Sequence, residues 1–121
     1  MSEELFEQVE REILAWPGVS KVSFAGGHGQ GGFRVPPATM FRFGRREIGH
    51  IHVTGEADLP VPQKIYHELI AAGRARPHGA GFKGVVTYTI RHPEDVPGAV
   101  ALFRMNYDRA KAARAKALED S

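Results

Sequence analysis

Residues 45–52 read Arg45-Arg46-Glu47-Ile48-Gly49-His50-Ile51-His52, and the rest of the chain is best understood from this stretch. It reads as a β-strand, whose side chains alternate between two faces. On a regular strand His50 and His52 share one face with Ile48 and Thr54, while Gly49, Ile51 and Val53 share the other. Two imidazoles side by side on a rigid strand are costly to keep unless they bind, titrate or hydrogen-bond something. Arg45, Arg46 and Glu47 precede them, and Glu56 and Asp58 follow, so charged groups lie within reach. A half-buried histidine donating to a backbone carbonyl is the plainer account of one such residue. It is less comfortable for two on one face.

Outward from this strand, the turn at Gly44-Arg45 joins it to Met40–Phe43, as a hairpin or one bent strand. Upstream, Leu5, Phe6, Val9, Ile13 and Leu14 recur at helical spacing. Ser2 is placed to cap that helix, and Pro17-Gly18 stops it. Residues 19–25 alternate as a short strand, 26–32 form a glycine loop, and Phe33 and Val35 flank Arg34 in another short strand. Downstream, residues 54–61 read as a loop. Ile65, Tyr66, Leu69 and Ile70 mark a second helix from Pro62 to Gly73, and residues 74–80 form a further loop. Phe82–Arg91 alternates as a strand, and Pro93 with Glu94 and Asp95 opens a third helix with a stripe of Val96, Val100, Phe103 and Tyr107. The order α-β-β-β(β)-α-β-α does not alternate strictly. It therefore predicts a single α+β domain over residues 1–121, with a mostly antiparallel sheet of four to five strands and three helices packed on it. Residues 111–121 read as a solvated helical tail, frayed at its tip.

A chain of 121 residues, 42% apolar and 25% charged, is long enough to bury a core without staples. It has no cysteine, which excludes disulfides, thiolate metal sites and cysteine nucleophiles. No apolar run approaches a membrane span, and the acidic start Met1-Ser2-Glu3-Glu4 is unlike a secretory leader, so a cytoplasmic location is expected. The net charge of +2 is too small to argue for nucleic acid, but its distribution is uneven. Residues 1–16 carry −4 and residues 17–103 carry +4, so the histidines sit in the basic part, which favours anionic ligands.

Gly27-His28-Gly29-Gln30-Gly31-Gly32 contains G-x-G-x-x-G, but Phe33-Arg34-Val35-Pro36-Pro37 follows where a dinucleotide site needs a helix. A loop beside a site is the remaining reading, with His28 at its tip. Gly44-x5-His50-x-His52-x3-Glu56 resembles the first metal motif of the cupins. Gln63 stands where that motif expects a glycine, and the helices leave too few strands for a jelly roll. On another fold, His50, His52 and Glu56 still form a ligand set suited to a divalent metal, with His78 or His28 as a third imidazole. Arg74-Ala75-Arg76-Pro77-His78 follows the second helix. Its bases suit the helix dipole, and equally serve as an anion clamp with His78 as acid–base partner. Neither Ser20 nor Ser23 sits in a nucleophile elbow.

Several segments together resemble the small luciferase-domain family: Trp16-Pro17-Gly18-Val19, Arg46-Glu47-Ile48-Gly49-His50-Ile51-His52, Ala57-Asp58-Leu59-Pro60, Leu69-Ile70-Ala71-Ala72-Gly73-Arg74-Ala75, His78 and Glu94-Asp95-Val96. The likeness spans about residues 13–110, and the Arg46–His52 block is its most specific part. The resemblance implies that Glu47, His50, His52, Arg74 and His78 belong to a shared motif. It implies no particular reaction. Flavin-dependent luciferases are large barrels, which 121 residues cannot build, so neither flavin nor light emission is transferred. Relatives follow the position of His78 with a proline and a Ser-Gly-Trp run. Here Gly79-Ala80-Gly81-Phe82 stands instead, with Phe82 in the packing role of the tryptophan.

The resulting expectation is a pocket for a small polar or anionic ligand. Catalytic candidates are His50, His52 and Glu47, and ligand-binding candidates are Arg46, Arg74, His78 and His28. Proton transfer by a histidine is the most economical chemistry. No cofactor is required, and a divalent metal on His50, His52 and Glu56 is the lesser alternative. The other alternative is a non-catalytic interaction module, homodimeric or partner-binding, acting through the sheet edge or the basic last helix (Arg104, Arg109, Lys111, Arg114, Lys116). Interspersed acids and the lack of an aromatic platform disfavour nucleic acid as its partner.

Overall fold

The computed structural model describes residues 1–32, 34–79 and 83–121. Helix α1 (Glu3–Leu14) starts at Ser2, whose hydroxyl accepts from the Leu5 backbone N–H at 3.2 Å. Strand β1 (Val19–Phe24) follows, then the short β2 (Gly27–His28) and β3 (Arg34–Val35), then β4 (Ala38–Phe43), β5 (Arg46–His52) and β6 (Glu56–Pro60). Helix α2 (Gln63–Ala71), strands β7 (Arg76–Pro77) and β8 (Val85–Thr89), and the long helix α3 (Val96–Glu119) complete the chain. The main sheet has six strands in the order β1-β4-β5-β6-β8-β7, every pairing antiparallel, and β2 and β3 form a separate ribbon. The fold is α+β, with three α-helices among the described residues. No helix among the described residues is long and apolar enough to cross a membrane.

The sheet is larger than the expected four to five strands because two segments that read as loops pair into it. β6, Glu56-Ala57-Asp58-Leu59-Pro60, looks loop-like for its acids and its proline, yet Ala57, Asp58 and Leu59 are all buried. Pro60 stands at the strand end, where a missing N–H costs least. The expected strand starts at Phe33 and Phe82, and the packing role given to Phe82, lie outside the described residues.

α1 and α3 cover one face of the sheet. Val9 and Ile13 of α1, and Leu102, Phe103 and Tyr107 of α3, pack with Phe41, Ile48, Ile51, Leu59 and Val86. Each fully buried large side chain contributes about 1.5–3 kcal/mol. Phe103 meets Phe41 edge-on, with centroids 5.7 Å apart, over Gly49. A Cβ on Gly49 would lie 2.5 Å from the Phe103 ring, so only glycine admits the helix here. Tyr107 packs on Trp16 and Phe43, and its hydroxyl donates to the Pro17 carbonyl at 2.7 Å. That contact ties the end of the first helix to the last.

One irregularity decides where the site falls. Phe41 stands opposite Gly49, but the next residue, Arg42, stands opposite Glu47. Ile48 is therefore the extra residue of a β-bulge, and the alternation reverses there. The expectation that Ile48 accompanies the histidines is corrected. Ile48 turns into the core at 0% exposure, and Glu47 joins the histidine face in its place. Buried Asn106 of α3 donates its amide to the Ile48 carbonyl at 3.0 Å and to the Pro60 carbonyl at 2.8 Å, which fixes the bulge from the helical side.

Candidate functional site

His50 and His52 project from the face away from α1 and α3. His50 stands opposite Asp58 on β6, and Asp58 stands opposite Thr87 on β8. His78 directly follows β7. The sheet order thus brings three other segments to the one carboxylate on β6. Asp58 Oδ2 lies 3.1 Å from His52 Nε2, 3.3 Å from His50 Nε2 and 3.4 Å from His78 Nε2. Its other oxygen, Oδ1, accepts from the Thr87 hydroxyl at 2.7 Å. The Asp58 side chain is 3% exposed, against 12% to 28% for the three histidines, so the carboxylate is the floor and the imidazoles are the walls.

The far side of each β5 ring is also held. His50 Nδ1 lies 2.8 Å from Glu47 Oε2, a contact that exists only because the bulge turned Glu47 to this face. His52 Nδ1 lies 3.0 Å from the Pro36 carbonyl. A carbonyl only accepts, so His52 carries a proton on Nδ1. The two rings stand at 89° to one another, with centroids 5.0 Å apart.

These contacts set the charges. Burial disfavours a charged His50 ring, but the hydrogen bonds to Asp58 and Glu47, with their negative charges, outweigh it and hold the pKa up at about 9. Burial likewise works against an ionised Asp58. The hydrogen bonds from His50 and Thr87, and the charges of His78 and His50, hold it down at about 2. In neutral His52, with its proton committed to Pro36, the bare Nε2 lone pair faces an ionised carboxylate oxygen at 3.1 Å. That contact is repulsive unless a cation, a proton or a metal ion, sits at the cluster.

The histidine face opens into a cavity of about 450 Å³ whose walls are mostly apolar, with Phe24, Val35, Pro36 and Met40 among them, and His28 of β2 at its edge. Of the expected site residues, Glu47, His50, His52 and His28 line it, while His78 joins the cluster through Asp58. Arg46 lines a separate cavity. Arg74 is exposed beyond the end of α2. Glu56 is exposed and lies 3.9 Å from Arg76, away from the imidazoles. The carboxylate among the histidines is Asp58, and the group of possible metal ligands found among the described residues is His50, His52 and Asp58. The bases of α3 are partly engaged within the chain. Arg104 stacks on Trp16 and Tyr107, Lys111 on Tyr107, and Arg114 on Phe43.

Residues 45–106 match the family model described as Luciferase domain. The chain belongs to this family. The luciferase-domain match runs from β5 to Asn106 of α3, so it contains Glu47, His50, His52, Asp58, His78 and Thr87, and also the asparagine that fixes the bulge. No curated protein and no solved structure matches the chain. Sequence reasoning did not assign Asp58, Thr87, the Pro36 carbonyl or Asn106 to the site. The signal for Asp58 was an acid flanked by Ala57 and Leu59, an apolar-polar-apolar pattern that suits a strand as well as a loop. Nothing local marks Asn106 or Pro36. Arg42, opposite Glu47, was also overlooked, and its Nε is buried without a hydrogen-bond partner among the described residues.

Proposed function

We propose that this luciferase-domain protein is a metal-dependent small-molecule protein, with a divalent transition metal held by His50 Nε2, His52 Nε2 and Asp58 Oδ2, and with His78 packed against the same carboxylate. The observation that carries this is the His52 ring. Its Nδ1 is engaged by a backbone carbonyl while Nε2 is the nitrogen turned into the cluster, 3.1 Å from Asp58 Oδ2, which is how metal-ligating histidines are oriented by their outer partners. Glu47 does the same for His50. Donor atoms on one ion at about 2.0–2.2 Å lie about 3.0–3.5 Å apart, and the His52 and His50 nitrogens lie 3.1 and 3.3 Å from Asp58 Oδ2. With Asp58 and Glu47 both in the cluster, the site itself suits a cation better than a bare anion. A bound metal polarises a ligand oxygen or activates water. The apolar cavity walls suit a small molecule with an apolar body and one oxygen donor aimed at the histidines.

The test is elemental analysis of the untagged protein beside His50→Ala/His52→Ala and Asp58→Ala. The expected result is about one ion per chain in the parent and none in the variants. Equal metal content in parent and variants contradicts the proposal. A second reading rests on His50, whose two nitrogens both face carboxylates. Without metal it is an imidazolium at neutral pH and serves the cavity as a proton donor. Metal-free protein that still binds small molecules through His50 would establish that reading.

A further inference from the structure

A second cavity, of about 330 Å³, lies beyond Glu47 and is lined by Arg46, Arg109, Asn106, Pro60 and Gly84. We propose that it is a binding site for a small oxyanion, phosphate or carboxylate, clamped between Arg46 and Arg109. This stands independently of the metal. Asn106 spends its amide N–H groups on the Ile48 and Pro60 carbonyls, which leaves Oδ1 as an acceptor. Arg109 Nη1 donates to that oxygen at 2.9 Å. The guanidinium is therefore positioned by a neutral, buried partner that leaves its charge intact. Among the described residues neither arginine has a carboxylate oxygen within ion-pair distance, although surface arginines elsewhere in the chain, Arg76 and Arg104, each do. Arg46 is also close enough for its charge, after burial, to disfavour the charge on Arg109. Glu47 is the acid in the wall, and it is already engaged with His50 at 2.8 Å. Two guanidinium groups in one concavity, one anchored and neither neutralised, present planar donor forks to an oxyanion.

The test is a titration of the full chain with inorganic phosphate, and in parallel with acetate, at constant ionic strength. It is followed by the arginine Nε–H and Asn106 side-chain amide signals in nitrogen-15 spectra. Saturable shifts of Arg46, Arg109 and Asn106 are expected. Arg46→Gln, on an exposed side chain that leaves the fold and melting temperature unchanged, should weaken binding about tenfold or more, the loss of one charge-assisted contact. Saturation by phosphate alone identifies a phosphate site, and saturation by both identifies a general oxyanion site. The proposal is overturned if neither anion gives a saturable shift, or if Arg46→Gln and Arg109→Gln both bind as tightly as the parent.

Discussion

The two faces of the sheet obey different rules. The face under α1 and α3 is held mainly by volume: Phe41, Ile48, Leu59, Leu102 and Phe103 fill space, and similar apolar shapes would serve. The opposite face is held by pairing: Asp58, Thr87, His50, His52, His78 and Glu47 each have a particular polar partner. A packed face tolerates exchange of like for like. A paired face does not, because removing one member strands the others. The bulge at Ile48 joins the two, since one extra residue sends an isoleucine into the core and a glutamate to the histidines. Function is therefore expected from the paired face and stability from the packed one.

The sharpest way to break this contrast is on the packed face. Phe103→Ala removes the ring between Phe41 and Gly49 and should cost about 3–5 kcal/mol in denaturant unfolding. At temperatures where the variant is folded, metal content should be unchanged. Next is the residue that couples the faces. Asn106→Ala leaves the Ile48 and Pro60 carbonyls without their donor and should cost about 1–3 kcal/mol. Unlike Phe103→Ala, it should also lower the His50 pKa, read by proton NMR titration, because the bulge that presents Glu47 relaxes. A smaller effect is expected from pH on metal-free protein. His50 is raised from 6.5 to about 9, so its contribution is full below 6.5, where folded and unfolded rings are both protonated. It is lost as pH rises towards 9, where the folded state holds a proton the unfolded state has released. Asp58, lowered to about 2 from 3.8, contributes above 3.8 and is lost as pH falls through 2. These describe one interaction from its two ends. Melting temperature should therefore be highest between these limits, and zinc, which at the proposed centre takes the place of the proton, should remove the decline above 6.5. The least effect belongs to Glu56→Gln. Its exposed 3.9 Å pair with Arg76 should change stability by less than about 0.5 kcal/mol and leave metal binding intact, which would separate Glu56 from the ligand set.

Much of the packed face was legible in the sequence, because periodicity reports burial. Leu5, Val9 and Ile13 marked α1, and Phe103 and Tyr107 marked α3. The paired face was legible in part. His50 and His52 on one face follow from alternation alone, and the bulge leaves that pair untouched because it lies upstream of both. Glu47 was named as a candidate, but its face was not, since a bulge carries no pattern of its own and depends on Asn106, 58 positions away. β6 was hidden because a central strand with a buried acid looks like a loop until the partners of that acid are known. His78 and Thr87 reach Asp58 only through the sheet order β6-β8-β7, which no local window contains.

The most direct test of the proposed metal centre is a zinc titration of the metal-free, untagged chain, followed by imidazole nitrogen resonances. Saturation is expected at a single equivalent, with the Nε2 signals of His50 and His52 shifting together while the Nδ1–H of His52 stays on its Pro36 carbonyl. If stoichiometric zinc leaves these Nε2 signals in place, or if Asp58→Asn binds zinc as tightly as the parent, the paired face is not a metal centre.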